Sequence, residues 1–379
     1  MKFLQTDLDT CERLLPGLID RLTEVPFETL ESADSPAIGL FRDHGGTNLL
    51  VPRAYGGLGA DALDAVRVVR AIGSVAPSLA VATAMHHFSV GMLYSIGPLY
   101  AETTDIERTV LETVARDHSL IASGYAEGRT GRGILSPTVE ARPVPGGYRV
   151  SGSKKPCSLS RSMDLLTASV SLRNPDGTTE MGLLVLPAGT PGISVRDFWA
   201  TYPLAGAESH EVVLDDVFVE EQHLLRTPPS AAEKLDQLNE AGVIWFQMIV
   251  AASYTGMAGA LVDRVLSAER GSAAERAELC LLVQSAESMV DGLARRIMDG
   301  DLGNDCAAAS LFTRFSVQNV IVQVVGRAVE LLGGMAFISS PAVAILAAAS
   351  QAIVFHPPSR SSMSQAVVDH CLGKPLFFS

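Results

Sequence analysis

The sequence predicts an α+β protein in three parts. An N-terminal α-helical domain covers residues 1–118, a middle antiparallel β-domain covers 119–225, and a C-terminal four-helix bundle covers 231–379. Three observations carry this. Apolar residues recur at helical spacing up to Asp117, the pattern switches to alternation around Pro-Gly turns near Ser119, and long helical stretches resume after "RTPPSAAEK".

In the first part, "DTCERLLPGLIDRLTEV" has an apolar helical stripe, with Asp9 placed to cap it. "VPRAYGG" is a loop, and Asp61 leads the following helix. "SLAVATAMHHFSVGMLYSIG" is apolar nearly all round, which predicts a helix buried on several sides. His86 and His87 on it read as packing residues. In the second part, "TVEARPVPGGYRVSGSKKPCS" and "LLTASVSLRNPDGTTEMGLLVLPA" each alternate about a turn, and "HEVVLDDVFVEEQHLL" supplies another strand. In the third, amphipathic stretches run from Leu238 to Ala268, Ala274 to Met298 and Asn304 to Leu332. "LLGGMAF" breaks the last of these, and a further apolar stretch after Pro341 ends at "VFHPPSRSSM", where two prolines stop any helix.

The chain has 379 residues and a net charge of −13, with no block of Lys or Arg. That excludes nucleic acid and an anionic membrane as expected partners. Mean hydropathy is high at +0.24. No uninterrupted apolar run reads as long enough to span a bilayer, so the apolar excess is assigned to a core and to subunit interfaces. The five cysteines are widely spaced, with no metal-ligand pattern, and the N-terminus carries acids where an export signal would be apolar. Both point to a cytoplasmic protein with reduced thiols.

Four local motifs occur in a consistent order: "VPRAYGGLG", "YRVSGSKKPCSLS", "SHEVVLDDVFV" and "AVELLGGMAF". Together with the helix–sheet–helix order they resemble the acyl-CoA dehydrogenase family over essentially the whole chain. Ala336 stands where the last glycine of the fourth motif is usual. The resemblance implies FAD bound between the β-domain and the bundle, and a homodimer or homotetramer in which a neighbour completes the cofactor site. It assigns Ser158 as the hydroxyl beside the flavin's hydride-accepting nitrogen, with Pro156 where an aromatic usually covers the flavin face. Ser158 is otherwise a loop hydroxyl satisfied by backbone. The pyrophosphate loop falls on "AEGRTGRG", so Tyr125, Ala126, Arg129, Thr130, Gly131 and Arg132 line the candidate cofactor site, through backbone N–H groups and cationic forks. Gly333 and Gly334 fall where backbone approaches the neighbouring subunit's FAD; they also suit a helix C-cap.

The largest departure from the family is the catalytic base. The usual glutamate position falls on His356, preceded by Phe355. The less common base position falls on Phe246, and the substrate-facing arginine beside it on Gln247. His356 is thus a candidate general base or a corner residue bonded to a carbonyl, and Glu127 is a further catalytic candidate. The leading expectation is a flavin-dependent dehydrogenase that introduces a C=C bond into an acyl thioester, on CoA or an acyl carrier protein. Its electrons would pass to a flavoprotein or to oxygen, and the divergence suggests secondary metabolism. Two alternatives stand beside it: a monooxygenase using reduced flavin on the same fold, and a non-redox thioester-binding descendant.

Overall fold

The structure, a computed structural model, describes residues 4–96, 106–128, 137–173, 177, 179–225 and 232–377. Its first part holds α1 (Gln5–Leu14), α2 (Leu18–Glu24), α3 (Phe27–Leu30), α4 (Ala37–Asp43), α5 (Ala62–Val75), α6 (Pro77–Ile96) and α7 (Ile106–Asp117). The Asp61 carboxylate accepts the Asp64 amide at 2.8 Å and caps α5 as the sequence predicts. Asp9 does not cap: α1 starts four residues earlier, and Asp9 lies within it. The all-round apolar character of α6 is matched by burial along nearly its whole length.

The middle part is one sheet of eight strands: β1 (Ile121–Gly124), β2 (Glu140–Val144), β3 (Gly147–Cys157), β4 (Leu165–Arg173), β5 (Thr179–Pro187), β6 (Ile193–Arg196), β7 (His210–Glu220) and β8 (Leu224–Leu225). The order is β6-β7-β3-β2-β4-β5-β8, with β1 beside β4. The two expected hairpins form, β2 with β3 and β4 with β5. The sheet is mixed rather than antiparallel, because β1 and β2 both run parallel to β4 along one edge. Turn residues announce hairpins, but parallel pairing is made by distant segments and leaves no local signal.

The last part holds α8 (Ala232–Ser267), α9 (Ala273–Met298), α10 (Asn304–Ser339), α11 (Pro341–Ser350) and α12 (Ser364–Cys371). Ser272 and Glu275 form a reciprocal capping box at the start of α9. Gly333, with φ 82°, kinks α10 where the glycine pair predicts a break. One apolar core runs through the helices of the first and last parts and into the sheet, with α8 at its centre against α5, α6, α9, α10 and α11. The α5–α8 crossing is close enough to require glycine. A Cβ on Gly73 would lie 2.4 Å from the Ser253 carbonyl oxygen, and one on Gly256 2.2 Å from that of Arg70.

Two helices, α8 and α10, are long and apolar enough to cross a bilayer by length and composition, contrary to the sequence reading. In α8 that apolar surface is spent inside the fold, with 94% of the window buried, against 28% in α10. Met335, Phe337 and Ile338 at the end of α10 are exposed.

Two buried polar links tie the layers. Arg70 on α5 donates to both carboxylate oxygens of Asp7 at 2.9 and 2.8 Å and to Asp291 on α9 at 2.6 Å. His86 on α6 is fully buried. Its Nε2 donates to the Thr47 carbonyl at 2.8 Å, and its Nδ1 accepts the Ile121 amide at 3.1 Å. These two bonds fix the neutral Nε2–H tautomer and join α6 to the start of β1.

Burial pushes the His86 pKa down to about 4, despite the bond to the Thr47 carbonyl and with help from the Arg42 charge. A histidine depressed in this way stabilises the fold fully above its ordinary pKa of about 6.5 and progressively less towards pH 4. Thermal midpoints should therefore fall between those pH values. His86→Phe should flatten part of that slope while costing about 2–4 kcal/mol at neutral pH, since the Thr47 carbonyl and Ile121 amide lose their partner; denaturant melts across the pH range check both.

Candidate active site

A cavity of about 450 Å³ opens where α6, the end of β1, the end of β3, α8 and the loop after α11 meet. Helical spacing explains the α8 wall: Asn239, Gly242, Val243 and Phe246 follow one face, and Tyr254 returns to it eight residues on. Facing them, α6 contributes Val81, Met85, Phe88 and Met92. An aromatic line runs along the wall. Tyr125 meets Phe88 with ring centroids 6.1 Å apart, Phe88 meets Phe246 at 5.4 Å, and Phe246 meets His356 at 6.0 Å. At the far end the Tyr125 hydroxyl lies 3.9 Å from Met92 Sδ.

His356 lines this cavity, as its register predicts. A 3-10 turn over Gln351–Phe355 stops at His356, and Pro357 and Pro358 turn the chain away. The Tyr254 hydroxyl lies 2.8 Å from His356 Nε2. Burial holds Tyr254 above the ordinary phenol range, so it stays protonated and has a proton to donate. With the hydroxyl donating, Nε2 is the acceptor and Nδ1 carries the ring proton, with no protein partner among the described residues. Burial, and then the Arg314 charge, push the His356 pKa down to about 3. The ring is a neutral donor with its acceptor nitrogen already used, which makes it a poor general base.

Glu127 also lines the cavity, and the structure turns it from a base candidate into a clamp. Its carboxylate accepts Lys154 Nζ at 2.8 Å, the Thr138 amide at 3.0 Å, the Thr138 hydroxyl at 2.5 Å and the Val139 amide at 3.1 Å. Burial alone would raise its pKa. The bonds from Lys154 and Thr138, the Lys154 charge and the Val139 amide outweigh burial and bring it down to about 2. Lys154 is fully buried beneath it. Gln247, expected to face substrate, points instead at the loop and donates to the Pro357 carbonyl at 3.2 Å. Phe246 forms the wall, and Phe355 is exposed at the mouth.

The β-side wall suits a flat, polar-edged cofactor. Pro156 and Trp199 give it apolar faces, and the buried hydroxyls of Ser158 and Ser209 pair there at 2.9 Å. The Lys155 amide donates to the Ala126 carbonyl at 2.8 Å, which holds Tyr125 and Ala126 against the end of β3. These groups fit a flavin ring. Arg129, Thr130, Gly131 and Arg132 lie outside the described residues. Gly333 and Gly334 sit at the α10 kink, away from the cavity, and nothing in the chain lies within 4 Å of a Cβ placed on either. Sequence reasoning missed Tyr254, Ser209, Trp199 and Arg314. Only Tyr254 had a signal, its helical phase with Phe246.

Fold and site together define a member of the acyl-CoA dehydrogenase family, whose enzymes use flavin, and the chain belongs to that family. The acyl-CoA dehydrogenase N-terminal domain profile matches residues 23–99. The chain is 46% identical over 376 residues to isobutylamine N-hydroxylase of Streptomyces viridifaciens, covering 99% of this chain and 100% of that one. Among solved structures, nitrososynthase from Micromonospora carbonacea var. africana superposes with a TM-score of 0.80 at 21% identity, covering 99% of this chain and 98% of the other. FMN-bound TdsC from Paenibacillus sp. A11-2 gives 0.79 at 17%, covering 100% and 99%. Those two likenesses are of fold.

Lys154→Met should strand the Glu127 carboxylate beneath the cavity floor. We expect a loss of about 3–5 kcal/mol in denaturant melts, with Lys154→Met/Glu127→Gln recovering part of it.

Proposed function

We propose that this protein hydroxylates the nitrogen of a small primary aliphatic amine, using O2 and flavin reduced by a separate reductase. One observation carries the reading: the cavity offers no free carboxylate among the described residues. Abstraction of an α-proton from a thioester needs a well-placed base. Glu127 is fully engaged and His356 is neutral with Nε2 occupied. The dehydrogenase expectation therefore lacks its base, and the monooxygenase alternative is the better supported. The full-length likeness to an isobutylamine N-hydroxylase supports the same choice and suggests the substrate class.

The chemistry of the cavity suits an amine for a definite reason. An alkylamine resembles a lysine side chain, with an ordinary pKa of about 10.4, and is ionised in water. Only the neutral form has a lone pair to attack oxygen. An apolar wall of Met85, Phe88, Val243 and Phe246 disfavours the ammonium form, and no free anion among the described residues is there to hold it. The net change is R–NH2 + O2 + reduced flavin → R–NHOH + H2O + oxidised flavin. Bound reduced flavin with O2 supplies the electrophilic oxygen and the two electrons. Ser158, Ser209, Pro156 and Trp199 would hold the ring, the apolar wall would hold the alkyl group and exclude water, and His356 Nδ1–H would orient the reacting atoms as a fixed donor.

The exposed apolar residues of α10 support the homodimer or homotetramer expected from the sequence, and Gly333 and Gly334 remain candidates for contact with a neighbour's cofactor. Light scattering on the purified protein reads the assembly state.

The decisive assay supplies reduced flavin from a reductase, O2 and isobutylamine, and follows the hydroxylamine by mass spectrometry. Formation of the N-hydroxy product supports the reading. Anaerobic bleaching of bound flavin by an acyl-CoA, with no amine product, overturns it.

Chain length should be set where α6 meets α8. A Cβ on Gly242 would lie 3.0 Å from Met92 Sδ at the end of the aromatic line. Gly242→Val should push Met92 into the cavity and cut kcat/KM for five- and six-carbon amines about 10-fold or more relative to isobutylamine. Met92→Ala should shift preference the opposite way, as an amine ladder would read.

A further inference from the structure

The loop that carries His356 is gripped from behind by two buried side chains. Arg314 on α10 donates from Nη1 to the Ile353 carbonyl at 3.4 Å and from Nη2 to the Pro358 carbonyl. Gln247 on α8 donates to the Pro357 carbonyl at 3.2 Å. The three carbonyls bracket His356 on both sides in sequence. Arg314 is fully buried, lies over the Phe315 ring at 4.4 Å, and leaves its Nε without a partner. It has no carboxylate partner among the described residues, and the charge acting on it is that of another cation, Arg360. Arg70, equally buried, is matched by Asp7 and Asp291.

A buried cation without a counter-ion is costly, and capping carbonyls does not require a charge. The charge has a second effect, because it lies near an imidazole that would repel it once protonated. We propose that Arg314 is a positioning residue for the reaction. With Gln247 it fixes the loop so that His356 keeps Nε2 on Tyr254 and presents Nδ1–H to the cavity.

His356 is faced by Tyr254 and Phe246 from α8 and by Arg314 from α10, with Arg360 beyond Arg314 and Tyr125 and Glu127 lining the same cavity. Glu127 is neutralised by Lys154, and both tyrosines are held protonated by burial. Arg314 is then the unpaired charge acting on the ring. Loss of the cation raises the affinity of His356 for a proton, while burial, the larger cause of its depression, remains.

The proposal rests on the amine-hydroxylase reading for its turnover readout, whereas the state of the ring is readable without turnover. The test uses the full chain labelled with 15N-histidine, long-range 1H–15N spectra, and His356→Gln to assign the signal. In the wild type His356 should stay neutral and Nδ1-protonated from pH 8 to 5. Arg314→Met should lose the single tautomer as the loop loosens. Its kcat for isobutylamine should fall about 10²-fold as the donor loses its aim, with KM and flavin affinity within about 2-fold. Arg314→Lys should recover neither the tautomer nor kcat, since an ammonium cannot reach both carbonyls. Gln247→Leu should loosen the tautomer in the same way, and it stands in if Arg314→Met does not fold. An Arg314→Met protein that folds with wild-type ring state overturns the proposal, as do Arg314→Lys and Gln247→Leu variants with wild-type tautomer and kcat. Absence of hydroxylamine from the wild type, with the ring behaving as stated, rejects the amine reading and leaves the positioning role standing.

Discussion

The enclosure of α8 is the constraint on which the rest of the structure depends. A helix packed by α5, α6, α9, α10 and α11 must be apolar on nearly every face, and its backbone must tolerate close neighbours at Gly256. Its remaining polar side chains need partners. Ser253 and Thr255 return their hydroxyls to carbonyls one turn earlier, and the Trp245 indole donates to Ser95 at 2.8 Å. Three polar side chains of the helix mark the site: Asn239 on the cavity wall, Gln247 reaching to the Pro357 carbonyl, and Tyr254 reaching to His356. The enclosure that builds the core thus also aims the polar groups.

The electrostatics of the cavity follow from that burial. Three of the described titratable groups on the wall are each held in one form: Glu127 ionised by Lys154 and Thr138, Tyr254 protonated by desolvation, His356 neutral through burial and then the Arg314 charge. None is poised near neutrality, where an acid–base catalyst works best. Such a wall presents fixed dipoles to whatever binds. It suits a reaction in which the protein orients and excludes water, and it suits proton abstraction from carbon poorly.

Much of this was legible in the sequence, for local reasons. Periodicity located the helices, Pro-Gly turns located both hairpins, and register along the family motifs brought His356, Ser158, Pro156 and Phe246 to one cavity. What escaped was set at long range. The parallel edge along β4 is made by segments some thirty to forty residues apart in the chain, as in the pairing of Glu140 with Ser171. Glu127 reads as a free carboxylate until Lys154 and Thr138 fold over it. Gln247 reads as substrate-facing, and Arg314 carries no signal, until the loop lands on them. A side chain's chemical type is local information, whereas its hydrogen-bond partner is tertiary.

The exchange at position 356 carries a consequence for chemistry on this fold. A carboxylate there would sit beside Tyr254 and in front of an unpaired arginine charge, and both would hold it ionised. That is what proton abstraction from a thioester requires. The same anion would bind an alkylammonium as its counter-ion and remove the lone pair that oxygen transfer needs. A neutral imidazole does the reverse: it forgoes the base and lets a buried amine discard its proton. Dehydrogenation at carbon and hydroxylation at nitrogen therefore make opposite demands on one side chain, and a neutral imidazole suits the second.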